Sequence, residues 1–264
     1  LRQVLKHLKK KWALALSVAP IIVIVAVLKY VYHQYDFEVL PPSSFMSGLI
    51  SANVFLLGFL ISSVLLDYKE SEKVPGELAA ALMSIFDEVH WIYKRKQSVI
   101  ARECLQHTLT LTLSLKQWFY KKENTDLLMD KLTRLNDFLE NLESEAGAGA
   151  VGRIKAEQST IRRYVIRART IRGTFFISSG YAIAEAMNIL IIIGLLLTQI
   201  GTFYEAVFFV GLISFVNTYM LMLIKQLDNP FDYYTKASGA DEVSLMPLDE
   251  VIRRAEPVIE KLSV

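Results

Sequence analysis

Three sets of residues have the type and spacing to do chemistry. Tyr181, Glu185 and Asn188 are spaced four and three, so on a helix they form one polar stripe. They lie inside an apolar run, where a carboxylate is costly and is a functional candidate by default. Glu185 could serve a cation pathway, or be a structural group, protonated or paired with Lys29 or a helix terminus. Ser214, Asn217 and Tyr219 are available as hydrogen-bond partners. The second set is basic: Arg153, Lys155, Arg162, Arg163, Arg167, Arg169 and Arg172 fall within twenty residues, opposed in sequence by Glu157 alone. Beside a bilayer such a cluster contacts anionic head groups and sets topology, or forms a positive vestibule that concentrates anions at an inner mouth. The third set is Ser51, Phe55 and Phe59, which recur every four residues on one helix face, with Ser62 further along.

No catalytic constellation accompanies them. There is no glycine-rich phosphate loop, no HExxH, no GxSxG and no Cys/His metal spacing. His7, His33, His90 and His107 are scattered, and the single cysteine, Cys104, excludes an intrachain disulfide and is expected in the core. Neither an enzyme, a metal site nor a cofactor is therefore expected. The basic cluster belongs to no nucleic-acid-binding module.

The elements that must position these residues are membrane helices. The 264 residues are 53% hydrophobic, with mean hydropathy +0.33, and the apolar excess is concentrated in four runs. The central one, Phe45 to Leu66, holds 22 residues without a charge, enough to cross ~30 Å of hydrocarbon at ~1.5 Å per residue. It suits a pore wall shared between subunits, or an ordinary packed span whose serines and glycines admit close neighbours. After Leu66, Asp67, Tyr68, Lys69 and Glu70 predict an abrupt return to water.

Residues 1–12 form a basic amphipathic segment with Trp12 at the interface. The first span runs from Ala13 to Leu28, with Pro20 expected to kink it, and Lys29, Tyr30, Tyr32, His33 and Tyr35 mark the far interface. A third span covers about Phe175 to Thr198 and a fourth about Phe203 to Ile224, joined closely enough to be antiparallel. The distribution of lysine and arginine puts both termini and residues 67–174 in the cytoplasm. The expected units are residues 1–12, 13–66, 67–174, 175–225 and 226–264. Within 67–174, Pro75 is read as opening a new helix, and Ala146 to Gly152 as a flexible break. Residues 98–121 are read as helix despite the strict alternation of TLTLTLSL.

Two places resemble the bestrophin family of anion channels. Phe55-Leu56-Leu57-Gly58-Phe59 is similar to the phenylalanine-rich neck of animal bestrophins, and Asn229-Pro230-Phe231 resembles the motif that follows their last span. The order of spans and helical insert is similar too. The resemblance implies a homopentamer around one pore in the plasma membrane, with rings of Phe55 and Phe59 at a neck and inorganic anions as cargo. It departs in Asp67-Tyr68-Lys69, where the family has Arg-Trp-Trp, in Asp232 after the exit motif, and in lacking the acidic run that binds calcium. The expected fold is thus all-α and polytopic, with four membrane helices and a cytoplasmic helical domain. The expected function is passive anion conduction through a pore lined by the second helix, in contact with membrane lipids. The alternatives are a membrane scaffold or signalling subunit without a pore, and a cation pathway using Glu185.

Overall fold

A computed structural model describes residues 2–173, 178–233 and 242–262. They form eight helices in chain order: α1 (Arg2–Gln34), α2 (Ser44–Lys96), α3 (Val99–Phe119), α4 (Thr125–Ala146), α5 (Ala148–Gly173), α6 (Ser178–Leu197), α7 (Phe203–Leu227) and α8 (Met246–Leu262). Stretches of α1, α2, α6 and α7 are long and apolar enough to cross a membrane. The chain is an all-α, multi-pass membrane protein. Residues 174–177, at the expected start of the third span, and residues 234–241, after the exit motif, lie outside the described residues.

The described residues divide into two units, 2–68 with 178–230, and 69–173 with 231–233 and 242–262. The first is the span bundle. Its apolar contacts fall into two clusters. One joins Val25 of α1, Ile191, Leu195 and Leu196 of α6 and Val210 of α7, with Leu49 and Ile50 of α2 packed on it. The other joins Leu57, Leu60 and Val64 of α2, Ala184 of α6, and Leu221 and Ile224 of α7. In this unit α1 runs through Pro20 as one helix. The α6–α7 turn is closed by Glu205, whose Oε2 accepts from the Thr202 backbone N–H at 3.1 Å. Gly201 stands there at φ +39°, and a Cβ on it would run into that carboxylate.

The second unit is built on a larger apolar core from α2, α3, α4, α5 and α8. Leu128, Leu132, Leu135, Leu139 and Leu142 of α4 are all buried, and their spacing of four and three makes one continuous apolar stripe. The alternating threonines of α3 are helical, as expected. Thr108 and Thr112 donate their hydroxyls to the carbonyls of Cys104 and Thr108, each at 2.8 Å, so they are buried without an unpaired donor. Cys104 is buried, and that burial pushes its thiol up to about 12, far from thiolate chemistry.

Two expectations are corrected. The chain makes no break between Leu66 and a new helix at Pro75: α2 is one helix of 53 residues with Pro75 inside it. Proline deprives the Ser71 carbonyl of its helical donor, yet Val74, Pro75 and Leu78 are buried on the helix side that continues into the core. The stretch from Ala146 to Gly152 is not a flexible break either. α4 ends at Ala146, Gly147 alone takes a left-handed φ of +82°, and α5 starts at Ala148. Ala150 and Val151 are buried in the core.

Candidate functional site

The expected neck residues lie on one side of α2. Phe55 is 79% exposed and Phe59 64% exposed in the protomer, while Leu57, Leu60 and Val64 are buried behind them. Ser51 and Ser62 are on the exposed side. Their hydroxyls donate to the carbonyls of Ser47 and Gly58, both at 2.8 Å. A serine that bonds back to its own helix needs no neighbour to be satisfied in an apolar medium. The side therefore presents two aromatic rings one turn apart between small polar residues, with no charge from Phe45 to Leu66.

Between the two apolar clusters, α2, α6 and α7 each carry polar residues on their buried sides. Asn53 of α2, Asn188 of α6 and Ser214, Asn217 and Thr218 of α7 are all buried. Asn188 Nδ2 donates to Thr218 Oγ1 at 3.4 Å. Among the described residues, both amide atoms of Asn53, Oδ1 of Asn188, Oγ of Ser214 and Nδ2 of Asn217 make no hydrogen bond. In the sequence Asn53 is one of several polar interruptions of an apolar run; its phase, two residues from Ser51, sets it away from the aromatic side.

The polar stripe of α6 is met residue by residue along α7. Tyr181 interacts with Asp228, Glu185 forms an ion pair with Lys225, and Asn188 bonds Thr218. The rungs descend in antiparallel order. Lys225 is thus the partner of Glu185, in place of Lys29 or the residues Ser214, Asn217 and Tyr219. The sequence signal was a spacing: Thr218, Lys225 and Asp228 are seven and three apart, so they share one face along α7 and its C-terminal end.

Lys29 itself is the buried cation that the sequence reading left at the interface. It is 0% exposed. Its Nζ donates to the carbonyls of Leu195 at 3.3 Å, Leu196 at 3.2 Å and Thr198 at 2.7 Å. Three N–H groups thus meet three carbonyls at the C-terminal end of α6, where the helix dipole favours a cation. Glu38 Oε1 lies 2.8 Å from Nζ, a charge contact outside hydrogen-bond geometry, and His33 Nδ1 is 3.2 Å from the other carboxylate oxygen.

The basic cluster of α5 is not a bare positive face. Arg167 holds Glu70 through two bonds, Nε at 2.9 Å and Nη2 at 2.5 Å, and Arg153 holds Glu88 in the same forked way. Arg162 donates to Thr133 Oγ1 at 3.1 Å. The guanidinium of Arg163 lies over its neighbour Tyr164 at 5.4 Å, and that of Arg172 over Trp118 at 4.8 Å. Arg169 is exposed. Besides Glu157 within the same stretch, acids of α2, distant in sequence, balance part of the cluster. In the exit motif, Asn229 and Pro230 end the first unit. Phe231 is buried in the second, its ring 5.3 Å from Phe119. Among the described residues no group of three histidine, cysteine or acidic side chains could hold a metal ion.

No family model matches the sequence, and no curated protein matches it. Solved structures do. A bacterial bestrophin homologue from Klebsiella pneumoniae superposes with a TM-score of 0.74 at 13% identity, over 91% of this chain and 96% of the other. A single-residue variant of a bacterial bestrophin homologue from that organism gives 0.70 at 16% identity, over 96% and 99%. A second such variant gives 0.76 at 14% identity, over 90% and 96%. The chain has the fold of these bacterial bestrophin homologues over nearly its whole length.

Proposed function

We propose that the protein is an oligomeric ion channel that conducts anions passively through a pore lined by α2. The observation that carries this reading is the exposed aromatic side of α2, with Phe55 and Phe59 projecting from the protomer between Ser51 and Ser62, in a fold shared with bestrophin homologues. In a closed symmetric assembly a side repeated on every subunit becomes a set of rings. Phe55 and Phe59 then form two rings about 6 Å apart along the axis. Aromatic ring edges carry partial positive charge, so they tolerate a passing anion, and apolar walls close a narrow passage by dewetting. The resemblance to bestrophins supports five subunits.

In this reading both termini and residues 67–174 are cytoplasmic, following the lysine and arginine distribution. The protein sits in the plasma membrane in contact with its lipids. In this reading the exposed Arg163 and Arg169 add positive charge on the cytoplasmic side of the membrane. Glu185 takes no part in conduction, because Lys225 balances its charge. The test is to count subunits of the purified protein in detergent and to measure planar-bilayer current under a potassium chloride gradient. A reversal potential near the chloride equilibrium value supports the reading. A value near that of potassium, or a monodisperse protein that never conducts, contradicts it and favours a scaffold.

A further inference from the structure

The second unit holds a cleft of about 160 Å³ whose lining includes Trp118 of α3, Lys121 and Glu123 of the α3–α4 connection, Thr125 at the start of α4, and Arg169 and Arg172 of α5. At ~30 Å³ per water, the space takes about five water molecules, enough for one tetrahedral oxyanion. Three of these six side chains are cationic. Glu123 is the one acid among them, and it is engaged by Lys131 at 2.8 Å and by the Ser114 hydroxyl at 2.6 Å.

The cleft is stiffened by its own contacts. The Arg172 guanidinium lies over the Trp118 ring, 4.8 Å from its centroid, and donates Nη1 to the Trp118 carbonyl at 3.3 Å. The Trp118 indole N–H donates to Thr125 Oγ1 at 3.0 Å. That hydroxyl therefore accepts from the indole and has its own proton left to donate elsewhere. Arg169 and Arg172 are three apart, on one side of α5, and the N-terminal turn of α4 adds a weaker positive end. Planar guanidinium groups and a lysine around a small cleft match the oxygens of a phosphate better than a single halide ion.

We propose that this cleft is a binding site for a phosphate group, either free inorganic phosphate or the monoester head group of a lipid. The site lies wholly within the second unit and does not rest on the conduction reading. Arg169 supplies a charge-assisted bond whose loss weakens binding about tenfold. Arg163, which lies over Tyr164 and lines no part of this cleft, contributes nothing specific.

The test uses the full-length protein in detergent, with two probes. Inorganic phosphate is titrated calorimetrically at constant ionic strength, since exposed charges are screened by salt. Phosphatidate is added in mixed micelles and its retention read by native mass spectrometry against phosphatidylcholine. Each probe is applied to the parent, Arg169→Gln, Arg169→Glu and Arg163→Gln. Phosphate binding weakened about tenfold in Arg169→Gln, abolished in Arg169→Glu and unchanged in Arg163→Gln supports a free-phosphate site. The same pattern for phosphatidate alone supports a head-group site. Binding of neither probe, or equal loss in the Arg163 and Arg169 variants, overturns the proposal. Unchanged unfolding midpoints in all variants ensure that binding rather than folding is being read.

Discussion

Lys29 and Glu38 stand 2.8 Å apart with the lysine wholly buried; the pair ties α1 to the loop that follows it, and the lysine also bonds the carbonyls at the end of α6. Removing one partner leaves the other charge buried, which costs about 3–5 kcal/mol. Lys29→Met also strands the carbonyls of Leu195, Leu196 and Thr198. Thermal unfolding in detergent should show Lys29→Met far less stable than the parent, with Glu38→Gln intermediate. The effects should be strongly non-additive in the double variant.

The same carboxylate sets an acid limit. Burial alone would raise Glu38 and is the largest single influence. The close contacts and charges of Lys29 and His33 together outweigh it and hold Glu38 below its ordinary 4.5. A lowered carboxylate contributes stability that is fully present above about pH 4.5 and is lost as pH falls through the lowered value. The stability difference between parent and Glu38→Gln should therefore shrink below pH 4.5. A difference that stays constant down to pH 3 would contradict the pairing.

His107 sets a second, milder dependence in the other unit. Burial, the largest influence, lowers its pKa from 6.5, and Nε2 lies 2.8 Å from the Lys131 carbonyl, where only a protonated nitrogen can bond. The unfolded chain takes up a proton more readily, so this contribution is present above about pH 6.5 and falls as the pH drops below it. Protein with His107→Gln should lose that slope between pH 6.5 and 5, measured by urea midpoints.

Gly147 and Gly152 separate a turn from a helix interior. Gly147 holds φ +82° with ψ 156°, a region open essentially to glycine alone, so Gly147→Ala should cost about 1–3 kcal/mol. Gly152 lies inside α5 with open space where a Cβ would go, and Gly152→Ala should stabilise by about 0.5–1 kcal/mol. Equal small effects at both positions would favour a loose linker. Slow amide exchange at Ala150 and Val151, which are buried, gives an independent check.

The four spans were legible because long uncharged runs admit few alternatives, and the helical reading of the threonine-rich stretch followed from its neighbours. The continuation of α2 was hidden by Asp67, Lys69, Glu70, Lys73 and Pro75, which look like a loop in sequence. The phase of Leu57, Leu60, Val64, Ser71, Val74 and Leu78 was the signal that one helix carries on. Small residues at 146–152 suggested mobility, but a small residue also lets a helix start close against a core. The aromatic side of α2 was readable from spacing alone. The pairs Glu185–Lys225, Lys29–Glu38 and Arg167–Glu70 were not, because each depends on the register between segments that the sequence does not state.

The central claim is that Phe55 and Phe59 line the conduction path, and single-channel recording of reconstituted variants tests it most directly. Truncation of the rings widens and hydrates a dewetting constriction. Phe55→Ala with Phe59→Ala should raise the unitary current severalfold and relax discrimination by anion size, with the subunit count unchanged. Leu57→Ala and Leu60→Ala, on the buried side of the same turns, should each cost about 2–5 kcal/mol of stability and leave the current per channel as it was. A double phenylalanine variant whose unitary current and anion selectivity equal the parent's would contradict the account.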